Sequence, residues 1–126
     1  MSKEVRKIIS EAMTSLGLAY CFMEYAGEVV YPYFVGEYTE TEGFTEDGLQ
    51  ESTFLLTGFS REAWSGLEEA KDKIENYFNR VSGMTVITDS GSGVAVFYGH
   101  SLVVPTGDAE LKSIQINLSV KEWKVN

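Results

Sequence analysis

The stretch DSGSGVAVFYGH, Asp89 to His100, gathers an acid, serines at 90 and 92, glycines at 91 and 93, and the only histidine of the chain. Two chemistries use such residues. A phosphate cradle sets its glycines between a strand and a helix N-terminus, where free N–H groups and the helix dipole meet the anion. Here SGSG lies between two β-patterned runs, and no lysine follows in the loop. A serine nucleophile needs a base within hydrogen-bond reach and a third group to orient that base. His100 sits at the far end of the following strand, and eight or ten residues at ~3.3 Å each place it more than ~20 Å from Ser90 or Ser92. The pattern reads instead as a hairpin: strand 84–89, a glycine-rich tip requiring positive φ, and strand 94–99.

Metal chemistry has as little to work with. One histidine and one cysteine, Cys21, exclude a cysteine-based zinc site and an internal disulfide, which fits a reducing cytoplasm. Glu46 and Asp47 are adjacent carboxylates, but nothing in their surroundings supplies the six oxygens a divalent ion takes. Among the nineteen acids, no spacing singles out a pair for hydrolysis. The tyrosines and phenylalanines between Tyr20 and Tyr38 fall at strand spacing, as core and cross-strand pairs do. The sequence therefore predicts neither an enzyme nor a cofactor.

These residues sit in a chain of 126 residues, the length of one domain, 1–126, with a core of its own. No apolar run approaches the ~20 residues of a membrane span. MSKEVRKIISEAM is amphipathic and does not read as a signal peptide. The net charge of −9 is concentrated. Between Ile8 and Ser60 there is no lysine or arginine, while nine acids occur: Glu11, Glu24, Glu28, Glu37, Glu40, Glu42, Glu46, Asp47 and Glu51. Such a surface repels phosphates and argues against direct nucleic-acid binding. It is either a solubilising face or one matched to a basic partner or a neighbouring copy.

The elements follow from periodicity. Val5, Ile8, Ile9, Ala12, Met13 and Leu16 mark an amphipathic helix over 2–16, with Ser2 as N-cap and Gly17 as stop. YCFMEY (20–25) reads as a strand and AGE as a turn. VVYPYFVGEYTET (29–41) is extended, with Pro32 at its beginning or on an edge. EGFTEDG (42–48) is an acidic connection, and QESTFLLTGF (50–59) the return strand. The segment from Ser60 to Gly83 predicts a second helix capped by Ser60, with Trp64, Leu67, Ala70, Ile74, Tyr77, Phe78 and Val81 on its buried face. Glu69 and Lys73 form a favourable pair on its outer face. MTVITD (84–89), VAVFYG (94–99) and SLVVP (101–105) read as strands and PTGD (105–108) as a turn. LKSIQINLSVKEWKV (111–125) alternates with a period of two. Short turns imply antiparallel pairing, so the expected class is α+β, with a mostly antiparallel sheet and both helices packed on one face.

YPYFVGEY, the acidic gap, ESTFLLTGFSREAWSGLEEAKDKIENYF and the closing LKSIQINLSVKEWKV, behind an N-terminal helix, resemble the tail-terminator and tail-completion (head–tail joining) proteins of long-tailed phages and prophages. The resemblance spans nearly the whole chain as pattern and order. It implies a structural protein without cofactor that assembles with itself as a ring, commonly hexameric. Such a ring caps the tail tube and joins it to the head connector, with no direct contact to nucleic acid or membrane. It also implies a place in the virion tail or neck, reached through assembly in the host bacterial cytoplasm. Candidate contact residues are Glu37, Glu40, Glu42, Phe44, Glu46, Asp47 and Glu51 of the acidic half, Arg61, and the tip Ser90, Gly91, Ser92 and Gly93. An acidic half meeting Arg61, Lys71, Lys73 or the lysines of the last strand would set the register between copies. The same acidity suits an inhibitor or immunity-type protein that blocks a basic site by mimicking nucleic acid. An unrelated α+β binding module is the third alternative.

Overall fold

A computed structural model describes residues 2–40, 48–79, 81, 83–88 and 91–123. The order of elements is α1 (Lys3–Ser15), β1 (Ala19–Phe22), β2 (Tyr33–Glu40), β3 (Leu49–Ser60), α2 (Trp64–Tyr77), β4 (Met84–Ile87), β5 (Gly93–Val103) and β6 (Lys112–Trp123). Two helices and one six-stranded sheet of order β1-β2-β3-β6-β5-β4 make a mixed α/β fold. Every neighbouring pair is antiparallel except β1 with β2. That exception corrects the expected hairpin around AGE. Residues 23–32 instead carry the chain back so that β2 runs alongside β1, as a parallel pair requires. They begin at Met23, whose φ is 68°, and end in a cis Tyr31–Pro32 peptide immediately before β2.

α1 forms where its periodicity places it. Ser2 Oγ accepts from Val5 N at 3.4 Å, and Val5, Ile8, Ile9, Ala12 and Met13 are buried. α2 is shorter than its pattern suggests. Ser60 belongs to β3, paired with Lys112, and its Oγ accepts from Glu62 N at 3.0 Å. The helix begins after Ala63, which offers no side-chain cap. Consequently Trp64 is 38% exposed, and Val81, beyond the helix end, is 90% exposed, where both were expected inside. Leu67, Ala70, Ile74 and Phe78 are buried as expected. Along the helix Lys71 pairs with Asp72 at 3.4 Å and with Glu75 at 3.9 Å, where Glu69 with Lys73 was expected.

β5 is one eleven-residue strand where two shorter ones were expected. A bulge between Tyr98 and His100 absorbs Gly99, and a Cβ there would stand 2.8 Å from the Asn117 carbonyl oxygen. The extra residue resets the alternation of side chains along the strand. β6 lies between β3 and β5 in the middle of the sheet. Its Ile114, Ile116, Leu118 and Val120 join Phe34, Phe54, Leu56, Val94, Val96, Tyr98 and the buried side chains of both helices in one hydrophobic cluster. Burying a side chain of the size of Phe54 or Leu56 contributes about 2–3 kcal/mol. On the other face Thr53, Leu55 and Thr57 of β3 and Gln115 and Asn117 of β6 are half-buried.

Candidate interaction surfaces

The register sorts the sequence-predicted residues by position along the sheet. Leu49 and Gly93 are both paired with Trp123, so the start of β3, the end of β6 and the β4–β5 tip share one end. Glu40, paired with Ser52, stands near it. Glu40 and Glu51 are exposed there, and Glu37, also exposed, pairs with Leu55 midway along β3. Gly91 and Gly93 belong to the tip. Thr88 N donates to Ser92 O at 2.8 Å, Gly91 N donates to Thr88 O at 2.9 Å, and Gly91 has φ 88°. Glu42, Phe44, Glu46, Asp47 and Ser90 lie outside the described residues. Arg61 follows the other end of β3, a strand of twelve residues and therefore roughly 40 Å long. The structure brings Glu40 and Glu51 to the end of the sheet that carries the glycine tip and separates them from Arg61.

At the acidic end, Glu122 is only 2% exposed. Its Oε1 accepts from the backbone N of Ser2 at 3.4 Å and from the Ser2 hydroxyl, so a carboxylate stands at the N-terminus of α1, where the helix dipole favours it. Gln50, paired with Glu122 across the ladder, donates from its side-chain amide to Glu40 Oε2 at 3.4 Å. Lys121 lies opposite Glu51. A cleft of about 160 Å³, lined by Glu4, Lys7, Ile8, Glu11, Val86 and Ile87, separates α1 from β4.

The opposite end carries a larger groove, about 360 Å³, that sequence reasoning did not assemble. Trp64, Val103, Pro105 and Leu111 supply its apolar wall, and Thr106, Asp108 and Lys112 its polar one. The loop between β5 and β6 is held in shape by its own side chains. Thr106 Oγ1 accepts from Asp108 N at 3.2 Å and lies 2.8 Å from the Leu111 carbonyl. Asp108 Oδ1 accepts from Glu110 N at 2.9 Å, and Oδ2 from Arg61 Nη1 at 3.0 Å. The Glu110 N–H first, and Arg61 second, hold the Asp108 carboxyl below its ordinary range. Asp108 in turn holds Arg61 in its charged form, with a smaller contribution from the Tyr31 hydroxyl. Arg61 is thus engaged within its own chain. Lys112 makes no ion pair among the described residues, and the buried Ser113 hydroxyl has no hydrogen-bond partner. The only sequence signals for this groove were a Pro-Thr-Gly-Asp turn and a tryptophan opening a helix.

A second aromatic group lies beside Arg61. Tyr33 stands 4.5 Å from Tyr25, 5.9 Å from Tyr31 and 5.3 Å from Phe59 between ring centroids, at the junction of the 23–32 segment with β2 and β3. Among the described residues no three His, Cys, Asp or Glu side chains are grouped to hold a metal ion, and no helix is long and apolar enough to cross a membrane. No family model matches the chain, and no curated protein matches it.

Proposed function

We propose that the protein is a non-enzymatic structural component of a phage or prophage tail, forming a ring that terminates the tail tube and joins it to the head connector. In this reading both helices cover one face of the sheet, and the opposite face and the two strand ends are left for neighbours. The observation that carries it is the placement of distinct surfaces at opposite ends of β3. Exposed Glu40 and Glu51 stand toward the glycine tip at one end, and Trp64 and Lys112 lie at the other. Unlike patches on opposite sides of one subunit favour head-to-tail contacts, which close into a ring when the rotation suits. The partners are then further copies of the chain, the tube and the connector. The place is the tail or neck, after assembly in the bacterial cytoplasm.

The test is a concentration series by analytical ultracentrifugation with negative-stain imaging, repeated with purified tail tubes and connectors. Closed rings, or a monomer that seats on tube ends, are expected. A strict monomer binding neither would sink the reading. The exposed acids of β2 and β3 favour a second reading, an inhibitor that covers a basic site. It predicts that Glu37→Lys with Glu40→Lys abolishes capture of a basic partner while leaving tail assembly untouched.

A further inference from the structure

We propose that the free edge of β5 at Ser101–Val103, together with the adjoining Trp64–Lys112 groove, docks an extended acidic peptide of another protein as an added strand. The backbone argument comes from the ladder. β4 covers β5 only from Gly93 to Val96, and beyond it Tyr98 N donates to the Phe78 carbonyl at 2.6 Å. Val104 N donates to Ser113 O at 3.0 Å, toward β6. Polar groups alternate sides along a strand, so the N–H and C=O groups of Ser101 and Val103 point away from β6. Among the described residues no strand pairs with them on that side. Ser101, Leu102 and Val103 are neither the lysines nor the prolines that usually blunt such a template, Pro105 ends it two residues beyond, and Leu102 and Val103 are 44% and 61% exposed.

The groove supplies side-chain selection. Val103 is both an edge residue and part of the groove wall. A residue added opposite it points to the same face, toward Trp64 and Lys112. Lys112 is the cation of that wall without an ion pair among the described residues, whereas the Asp108 carboxylate is engaged by Arg61. Glu110, on the same loop, does not line the groove. Main-chain bonds would give affinity and the carboxylate specificity, as in other cases of strand addition. This inference does not rest on the ring reading.

The probe is a blocked synthetic peptide, Thr-Val-Glu-Val-Thr, with Thr-Val-Lys-Val-Thr as its charge control, titrated into the full chain and followed by NMR. The glutamate peptide is expected to slow amide exchange at Ser101 and Val103 and to bind about tenfold more tightly than the lysine peptide. Lys112→Glu, a half-exposed change that does not threaten the core, should reverse that preference. Ser101→Pro should abolish binding, since it removes an outward N–H and no bond to β6. Equal affinity for the two peptides, or no protection at millimolar peptide, would overturn the proposal. So would protection of the same amides that rises with protein concentration alone, which would assign the edge to a second copy.

Discussion

The two flanks of the central β3–β6 pair are built on opposite principles. On one side β2 pairs with β3 along its whole length, from Tyr33 against Phe59 to Glu40 against Ser52. Its glycines are filled by rings from across the ladder. A Cβ on Gly36 would stand 2.5 Å from the Tyr20 hydroxyl and 2.7 Å from the Phe54 ring, and one on Gly58 would stand 2.6 Å from the Phe34 ring. On the other side β4 covers four residues of an eleven-residue strand. Beyond the bulge that strand ends in exposed Leu102 and Val103. One flank is closed by shape, so its sequence is constrained atom by atom. The other ends in exposed apolar side chains at Leu102 and Val103, beside the outward backbone groups of Ser101 and Val103.

The largest effect that tests this contrast is Gly58→Ala. The added methyl meets Phe34 and Leu67 in a filled site, and the cost should be about 1–3 kcal/mol of unfolding free energy in a urea titration. Val103→Ala on the open flank should change stability by less than about 1 kcal/mol. Similar losses for the two variants would erase the distinction.

A smaller effect separates the flanks by pH. Burial, reinforced by neighbouring Cys21 and opposed by Arg6, pushes the Tyr20 hydroxyl up from 10.0 to about 12. The folded state therefore holds this proton more tightly than the unfolded chain. The stability it contributes is complete below pH 10.0 and is lost as pH rises toward about 12. Thermal melts of Tyr20→Phe should lose part of the alkaline fall seen in the parent chain.

The smallest effect belongs to the loop beyond the open flank. The Asp108 carboxyl lies below its ordinary 3.8, so its contribution is present above that value and fades as pH falls through the lower, folded one. Asp108→Asn should leave the neutral-pH melting temperature nearly unchanged, because an exposed ion pair contributes little. It should remove the acid-side change in the NMR signal of the Arg61 side chain. A large drop in melting temperature would show that the loop supports the core.

The central strand β6 and the first helix were legible in the sequence. The alternation of Ile114, Ile116, Leu118 and Val120 states a half-buried strand directly, and the spacing of Val5, Ile8, Ile9, Ala12 and Met13 states α1. What escaped was set by tertiary pairing. Ser60 has a good capping side chain, but the ladder partner Lys112 keeps it in β3, so α2 starts later and Trp64 turns outward. Gly99 read as a break between two strands because a bulge needs the partner strand to be visible as one. β1 read as half of a hairpin because no local signal distinguishes a turn from a return alongside. The acidic residues were legible as a charge, and the placing of Glu40 and Glu51 at one end of the sheet required the register. The groove brings Trp64 to Lys112 and Ser113 across more than forty positions, and no single stretch of sequence announces it.

β6 is the last strand of this sequence and the middle of its sheet. During synthesis β1, β2 and β3 can pair among themselves, and β4 can pair with β5, but the two groups share no ladder until residues 112–123 arrive. The contact of Glu122 with Ser2 at the N-terminus of α1 waits for the same residues. A nascent chain stalled before this strand therefore presents two separate half-sheets with raw inner edges to everything around it. The continuous sheet forms only once residues 112–123 are available, and the two half-sheets need shielding until then.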